Sequence, residues 1–295
     1  MTRIRELDAL RGFAVCGIML VNTWQQVDTV PGSVLDTTIE TLFAGRFYPL
    51  FSVLFGMSFV LVLRSGSRWL TLSRLGWLMV FGLVQHAYYE GEVLTDYAFY
   101  GLVALLPASF LSPGWPIMVL GGVVTIWGAG QGGGAMLIPG LLLVGMALMQ
   151  LRPPRSLLPP AFAVSAAAAL VLLSLGDPFR TAGQLAGASA YATGLLLILR
   201  PRLSRVLEPL GRMALTNYVT GTLVLFLTAP ARAWVIPLAA VTVLAQALLS
   251  RWWLDRFRFG PLEWVWRCLT RFRPVPNRLQ SRGDDHRPVP DPGLP

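Results

Sequence analysis

The sequence predicts an all-α protein: a polytopic bundle of about ten transmembrane helices with both termini in the cytoplasm. Three observations carry this. Of 295 residues, 54% are hydrophobic, and the mean hydropathy is +0.59. Only 13% are Asp, Glu, Lys or Arg, about half of the roughly 25% that a soluble protein uses to cover its surface. The apolar residues fall in runs close to the roughly 20 residues needed to cross hydrocarbon, with arginines clustered between the runs.

Ten spans follow in order: 10–27, 47–63, 75–89, 93–111, 115–127, 135–150, 157–175, 182–199, 213–229 and 234–249. The first follows Arg3 and Arg5 and resembles a signal peptide. Asp8, Arg11 and Asn22 interrupt its apolar run, and no small-residue cleavage site follows, so it reads as an uncleaved helix. The fifth is short and glycine-rich, and Gly130-Gln131-Gly132-Gly133-Gly134 predicts a hairpin into the sixth. Residues 203–212 alternate apolar and charged side chains, the pattern of a short amphipathic helix lying on the inner leaflet. Residues 1–273 read as one transmembrane domain. The Pro- and Arg-rich stretch 274–295 has little to bury and reads as a disordered cytoplasmic tail.

Charge sets the orientation. With the N-terminus inside, 21 of the 24 basic residues, all of them Arg, fall on the cytoplasmic side, as the positive-inside rule requires. Arg46, Arg180 and Arg232 are the exceptions. The net charge of +9 therefore belongs to loops beside a membrane, not to a nucleic-acid-binding surface. Cys16 and Cys268 lie in different surroundings and are not expected to pair. No metal-ligand spacing is present.

Ionisable groups at membrane depth are costly and mark candidate sites. Asp8 and Arg11 share one helix face and can pair. Asn22 and Gln25 extend that stripe, which reads either as a cavity wall or as helix packing. His86 is followed four residues later by Glu90, a spacing that lets a carboxylate orient an imidazole for acid–base work. The alternative is an interfacial His beside Tyr88 and Tyr89. Arg46 can hold an anionic group or pair with Glu90 or Glu92. Ser52, Glu92 and Asn217 complete the set of candidate substrate contacts. The default role for Thr216 and Thr220 is helix–helix glue.

Several of these stretches together resemble the YeiB-like family of bacterial membrane proteins. They are Ile4 to Phe13, ending in Leu20-Val21-Asn22; Arg46 to Gly56; Gly82 to His86; Gly91 to Leu94 with Tyr97-Ala98; Gly211 to Tyr218; and Gly260 to Trp264. The family more often has Asp at the Glu92 position. Its C-terminal part, here roughly 115–273, is catalogued as a domain of unknown function. The family is similar to a wider group of transmembrane acyltransferases, including the lysosomal heparan glucosaminide acetyltransferase and bacterial sugar O-acetyltransferases. The resemblance implies a protein of the bacterial plasma membrane that moves an acyl group, acetyl in the first instance, from cytoplasmic acyl-CoA to a hydroxyl or amine. It implies that the Asp8–Arg11 motif and an intramembrane His, here His86 with Glu90, form the reaction centre. The CoA phosphates would rest on Arg64, Arg68, Arg74, Arg202 and Arg205. No permanently bound cofactor is expected. A transporter of a small amphipathic molecule, coupled to protons through His86 and Glu90, is the alternative.

Overall fold

The computed structural model describes residues 4–30 and 32–279. Over these the chain is helical; the one strand-like feature among them is an isolated bridge between Phe257 and Arg278. The helices run α1 (Arg5–Gln25), α2 (Val34–Leu42), α3 (Phe47–Ser65), α4 (Arg68–His86) and α5 (Leu94–Tyr100). A π turn at Gly101–Leu105 joins α5 to α6 (Leu106–Ala108). Pro107 cannot donate an amide to the regular ladder, which accounts for loosening at this point. Next come α7 (Trp115–Gly130), α8 (Ile138–Leu151), α9 (Leu158–Ser174), α10 (Arg180–Ile198), α11 (Pro201–Arg212), α12 (Ala214–Thr228), α13 (Val235–Leu254) and α14 (Pro261–Arg271).

Each of the ten predicted ranges falls on a helix, and α2, α11 and α14 are additional. By length and apolarity alone, four segments can cross a membrane: Val34–Arg64, Gly134–Leu151, Arg155–Ser174 and Arg232–Leu254. The pair α11 and α12, bent by 76°, makes a fifth if taken as one span. The exterior is apolar: Leu170 and Ile126 are each 75% exposed and Leu227 is 71% exposed, a surface suited to lipid rather than water. The predicted hairpin forms, and Gly132, Gly133 and Gly134 all take positive φ there, which glycine alone adopts without strain.

Two glycine crossings bring backbones into contact. A Cβ on Gly12 would lie 2.0 Å from the Leu207 carbonyl oxygen, and one on Gly211 would lie 1.7 Å from that of Asp8. This reciprocal pair locks α1 to α11. Gly56 and Gly145 do the same for α3 and α8, each with 2.0 Å to a facing carbonyl oxygen. Small residues at crossings of this kind let packing and backbone contacts hold helices that lipid cannot drive together. The predicted amphipathic helix forms as α11, with Leu207, Leu210 and Gly211 buried against the bundle and Arg202, Arg205 and Val206 exposed.

The three arginines that break the charge pattern all have structural partners. Arg232 pairs with Asp36 and donates to the Asp28 carbonyl (2.7 Å) and Ser33 hydroxyl (2.7 Å). Arg180 pairs with Glu40. Arg46 is buried and donates to the carbonyls of Thr41 and Ala44 at the end of α2. Residues 274–279 differ from the expected disordered tail. The Arg258 amide donates to the Asn277 carbonyl (2.8 Å) and the Leu279 amide to the Arg256 carbonyl (3.0 Å). The remainder of that predicted tail lies outside the described residues.

Candidate functional site

A cavity of about 220 Å³ lies between α1, α3, α4, α5, α12 and α14. Its composition is divided. At one end it is lined by the guanidinium-bearing side chains of Arg11, Arg74, Arg212 and Arg267, and Glu263 is the one acidic residue in the lining. The rest is apolar and aromatic: Phe51, Phe55 and Phe59 from α3, Leu75 and Leu78 from α4, Tyr97 from α5 and Tyr218 from α12.

The basic end is built by helix geometry. Arg11 donates to Asp8 across one turn of α1 (3.1 Å) and to the Ser58 hydroxyl of α3. Arg74 stacks on the Trp266 ring, 4.2 Å from its centroid, and the Trp266 indole N–H donates to the Arg74 carbonyl (2.9 Å). Arg267, Arg11 and Arg271 stand close enough to Arg74 to repel its charge. Concentrated positive charge at one end of an apolar cavity can hold an anionic group beside a hydrocarbon tail.

Glu263 fastens this end together. One carboxylate oxygen accepts the backbone N–H groups of Leu215 (2.8 Å) and Thr216 (3.1 Å), and the other accepts the Thr216 hydroxyl (2.6 Å). Thr216 in turn accepts the Leu262 amide (3.1 Å). The carboxylate thus satisfies donors left open at the N-terminus of α12. Burial pushes the Glu263 carboxyl above its usual range, while the Thr216 hydroxyl and the two amides pull it back.

Several predicted site residues fall elsewhere. His86 is exposed, and α4 ends there, so the chain turns before Glu90 and the four-residue spacing no longer brings the two together. No hydrogen bond or ion pair joins them among the described residues. Of the five arginines assigned to CoA, only Arg74 lines the cavity. Arg64 and Arg68 face a separate cleft with Ser67 and Gln150, and Arg202 and Arg205 are exposed on α11. The α1 stripe does not line a continuous path. Arg11 and Ile18 face the cavity, which stops before half-buried Asn22 is reached, and Gln25 is exposed.

Others are engaged in holding the fold. Arg46 caps α2 instead of pairing with Glu90 or Glu92. Glu92 accepts the Thr95 amide in the first turn of α5 (3.0 Å). Asn217 donates to the Leu210 carbonyl (3.1 Å) and to Ser250 (3.0 Å), tying α12 to α11 and α13. Ser52 is fully buried against Tyr97. Both cysteines are free.

Comparison with known proteins places this architecture. A protein of Bacillus acidopullulyticus, "Uncharacterized 39.9 kDa protein in amylase 3'region", is 30% identical over an alignment of 350 positions, gaps included, covering 96% of this chain and 98% of that one. "Uncharacterized protein YeiB" of Escherichia coli (strain K12) is 26% identical over an alignment of 381 positions, gaps included, covering 92% and 97%. The chain belongs to the YeiB-like family. The family profile described as "Protein of unknown function (DUF418)" matches residues 141–273. "Uncharacterized protein YxaH" of Bacillus subtilis (strain 168) is 32% identical over 134 residues, 35% of this chain and 32% of its own. No solved structure matches.

The motifs that resemble this family converge on the cavity. Arg11 comes from the first, Phe51 and Phe55 from the second, Tyr97 from the fourth, Tyr218 from the fifth and Glu263 from the last. The Gly82–His86 stretch packs outside it: Gln85 donates to Thr222 of α12 (2.8 Å). Sequence reasoning missed Glu263, Trp266 and Arg267. The Gly260–Trp264 motif was the available signal, but it names no partner on its own.

Proposed function

We propose that the protein is a membrane-embedded acyltransferase that takes its acyl group from a cytoplasmic acyl-CoA and passes it to a hydroxyl or amine of a small-molecule, sugar or lipid-like acceptor. The observation that carries this reading is the cavity, basic at one end and apolar along its length. The reading sets the chain in the bacterial plasma membrane with ten spans, its arginine-rich end and both termini cytoplasmic. The clustering of arginines and the partnering of Arg46, Arg180 and Arg232 support that orientation.

The donor's acyl chain enters the apolar part, its thioester stops at the arginine end, and its phosphates, carried outward by the pantetheine arm, lie beyond the cavity on the cytoplasmic side. The thioester then sits beside Arg11, whose guanidinium stabilises the oxygen as negative charge develops. Asp8 holds Arg11 in position. The acceptor's O–H or N–H attacks the thioester carbonyl carbon, a C–O or C–N bond forms, and the C–S bond breaks. The sulfur keeps the bonding pair, and the acceptor's proton ends on CoA as the free thiol. His86 lies twelve residues beyond Arg74, about 18 Å along α4, and takes no part in the donor half-reaction.

The test is CoA release from radiolabelled acyl-CoA by protein in lipid vesicles, with a mixture of sugar and amine acceptors. Arg11→Gln is expected to lower release by about a hundredfold, and His86→Ala is expected to leave it within about twofold. Equal release by Arg11→Gln and wild type would remove Arg11 from the chemistry. A second reading, transport of an anionic amphiphile, draws on the 76° break between α11 and α12 beside the cavity. Transport requires no CoA release and moves its substrate unmodified.

A further inference from the structure

A second recess lies where three helix ends meet: α3 finishes at Ser65, α4 begins at Arg68 and α8 finishes at Leu151. Between them and the Ser109–Pro113 link is an open cleft of about 790 Å³. It shares no lining residue with the arginine-lined cavity.

The polar side chains on its wall have hydrogens to give. Arg64 and Arg68 bring two guanidinium groups, and no carboxylate lines the cleft. Arg64 is exposed and, among the described residues, has no hydrogen-bond or ion-pair partner. Arg68 stacks on the Phe110 ring, 4.2 Å from its centroid, and makes one long hydrogen bond of 3.5 Å to the Ser109 carbonyl. A guanidinium carries five N–H donors, so most of those on the two residues are unspent. The Gln150 side-chain carbonyl already accepts the Gly114 amide (2.8 Å), which leaves its NH2 group to donate. The Ser67 hydroxyl accepts the Leu70 amide (3.2 Å) and keeps its own hydrogen. Two permanent positive charges beside neutral donors, with no acid among them, suit an anion, and the guanidinium fork matches the oxygens of a phosphate.

The surroundings indicate what carries that phosphate. Trp69, on the cleft wall, is 71% exposed, and Phe110 and Trp115, in and just after the link, are each 69% exposed. Val60 and Leu63 of α3 form an apolar side. Bare aromatic rings beside arginines suit the level of lipid headgroups, where one end of a side chain is apolar and the other is wet. A phospholipid uses both halves of the cleft: its phosphate meets the arginines while its chains lie along the apolar side.

We propose that this cleft is a binding site for an anionic phospholipid, with the lipid phosphate held between Arg64 and Arg68. The site stands apart from the acyl-transfer reading, because it needs neither the cavity nor CoA.

The experiment counts lipids on the full chain by native mass spectrometry in detergent, titrating phosphatidylglycerol or phosphatidylcholine with matched acyl chains. One arginine beside an anionic lipid is worth about fivefold in affinity, so wild type is expected to bind its first phosphatidylglycerol about twentyfold more tightly than phosphatidylcholine. Arg64→Gln with Arg68→Gln should bring the two lipids to within about twofold of each other. Arg202→Gln with Arg205→Gln removes the same charge from the exposed face of α11 and should leave the preference unchanged. No preference in wild type, or an equal loss in both double variants, overturns the site in favour of diffuse attraction. Inorganic phosphate and CoA, at millimolar concentration, are then offered to the complex with phosphatidylglycerol. Retention of the lipid supports the assignment; displacement by either would give the cleft to a soluble phosphate compound and overturn it.

Discussion

Gly211→Ala is expected to prevent the protein from accumulating in a folded form. The added Cβ would lie 1.7 Å from the Asp8 carbonyl oxygen and 2.8 Å from the Gly12 amide nitrogen. Backbone cannot swing aside as a side chain does, so α1 and α11 must separate. Ordinary overpacking costs about 1–3 kcal/mol; forcing two helices apart exceeds that and consumes a large part of a typical 5–15 kcal/mol stability. The loss is compounded because Asp8 and Arg11 flank the same crossing, so the cavity mouth moves with it. Yield and thermal melting of detergent-solubilised protein check this. Wild-type yield and melting would mean that the close approach of α1 and α11 is not as described. Gly76→Ala is the control, because nothing lies within 4 Å of a Cβ there.

Arg74→Ala is expected to weaken acyl-CoA binding tenfold or more while the protein still folds. Arg74 is the cavity arginine that Trp266 stacks upon and that other cations surround. Hydrogen bonds to charged groups contribute roughly 1.5–3 kcal/mol, and about 1.4 kcal/mol corresponds to tenfold in affinity. Removing one of several cations also relieves repulsion among those that remain, which favours folding and opposes the loss of the Trp266 contact. Arg64→Ala and Arg68→Ala should change binding by less than about twofold, because both face a different cleft. Equal losses from all three substitutions, measured by equilibrium binding in nanodiscs, would point to diffuse attraction by basic loops and not to a site.

The contrast among these arginines illustrates what a sequence can and cannot carry here. Arg64, Arg68 and Arg74 read as one cluster between two apolar runs. In the structure α3 ends at Ser65, and α4 begins at Arg68. Arg74 is then almost two turns into α4 and faces inward, while its neighbours face outward. The helices themselves were legible because their apolar runs are long, and the 130–134 hairpin was legible because its glycines permit positive φ.

Tertiary relationships were not legible. The spacing of His86 and Glu90 implies contact only if the helix continues, and α4 stops at His86. Glu263 stands in an arginine-rich segment, and nothing in its local sequence names its partner. Its role depends on α14 folding back to meet the first amides of α12, across nearly fifty residues. Arg46 read as a candidate anion contact because it broke the charge rule. The carbonyls it satisfies, Thr41 in the last turn of α2 and Ala44 just after it, depend on a helix absent from the list of spans.

On the proposed reading, an acyl chain occupies the arginine-lined cavity. The most direct measurement is photo-crosslinking with an octanoyl-CoA carrying a terminal diazirine, applied to the full chain in nanodiscs and mapped by peptide mass spectrometry. Label is expected on α3 and α5 around Phe51, Phe55 and Tyr97, and it should disappear with excess unlabelled octanoyl-CoA and in Arg74→Ala. Label confined to the lipid-facing surfaces of α7 and α9, unchanged by competitor, would contradict the account.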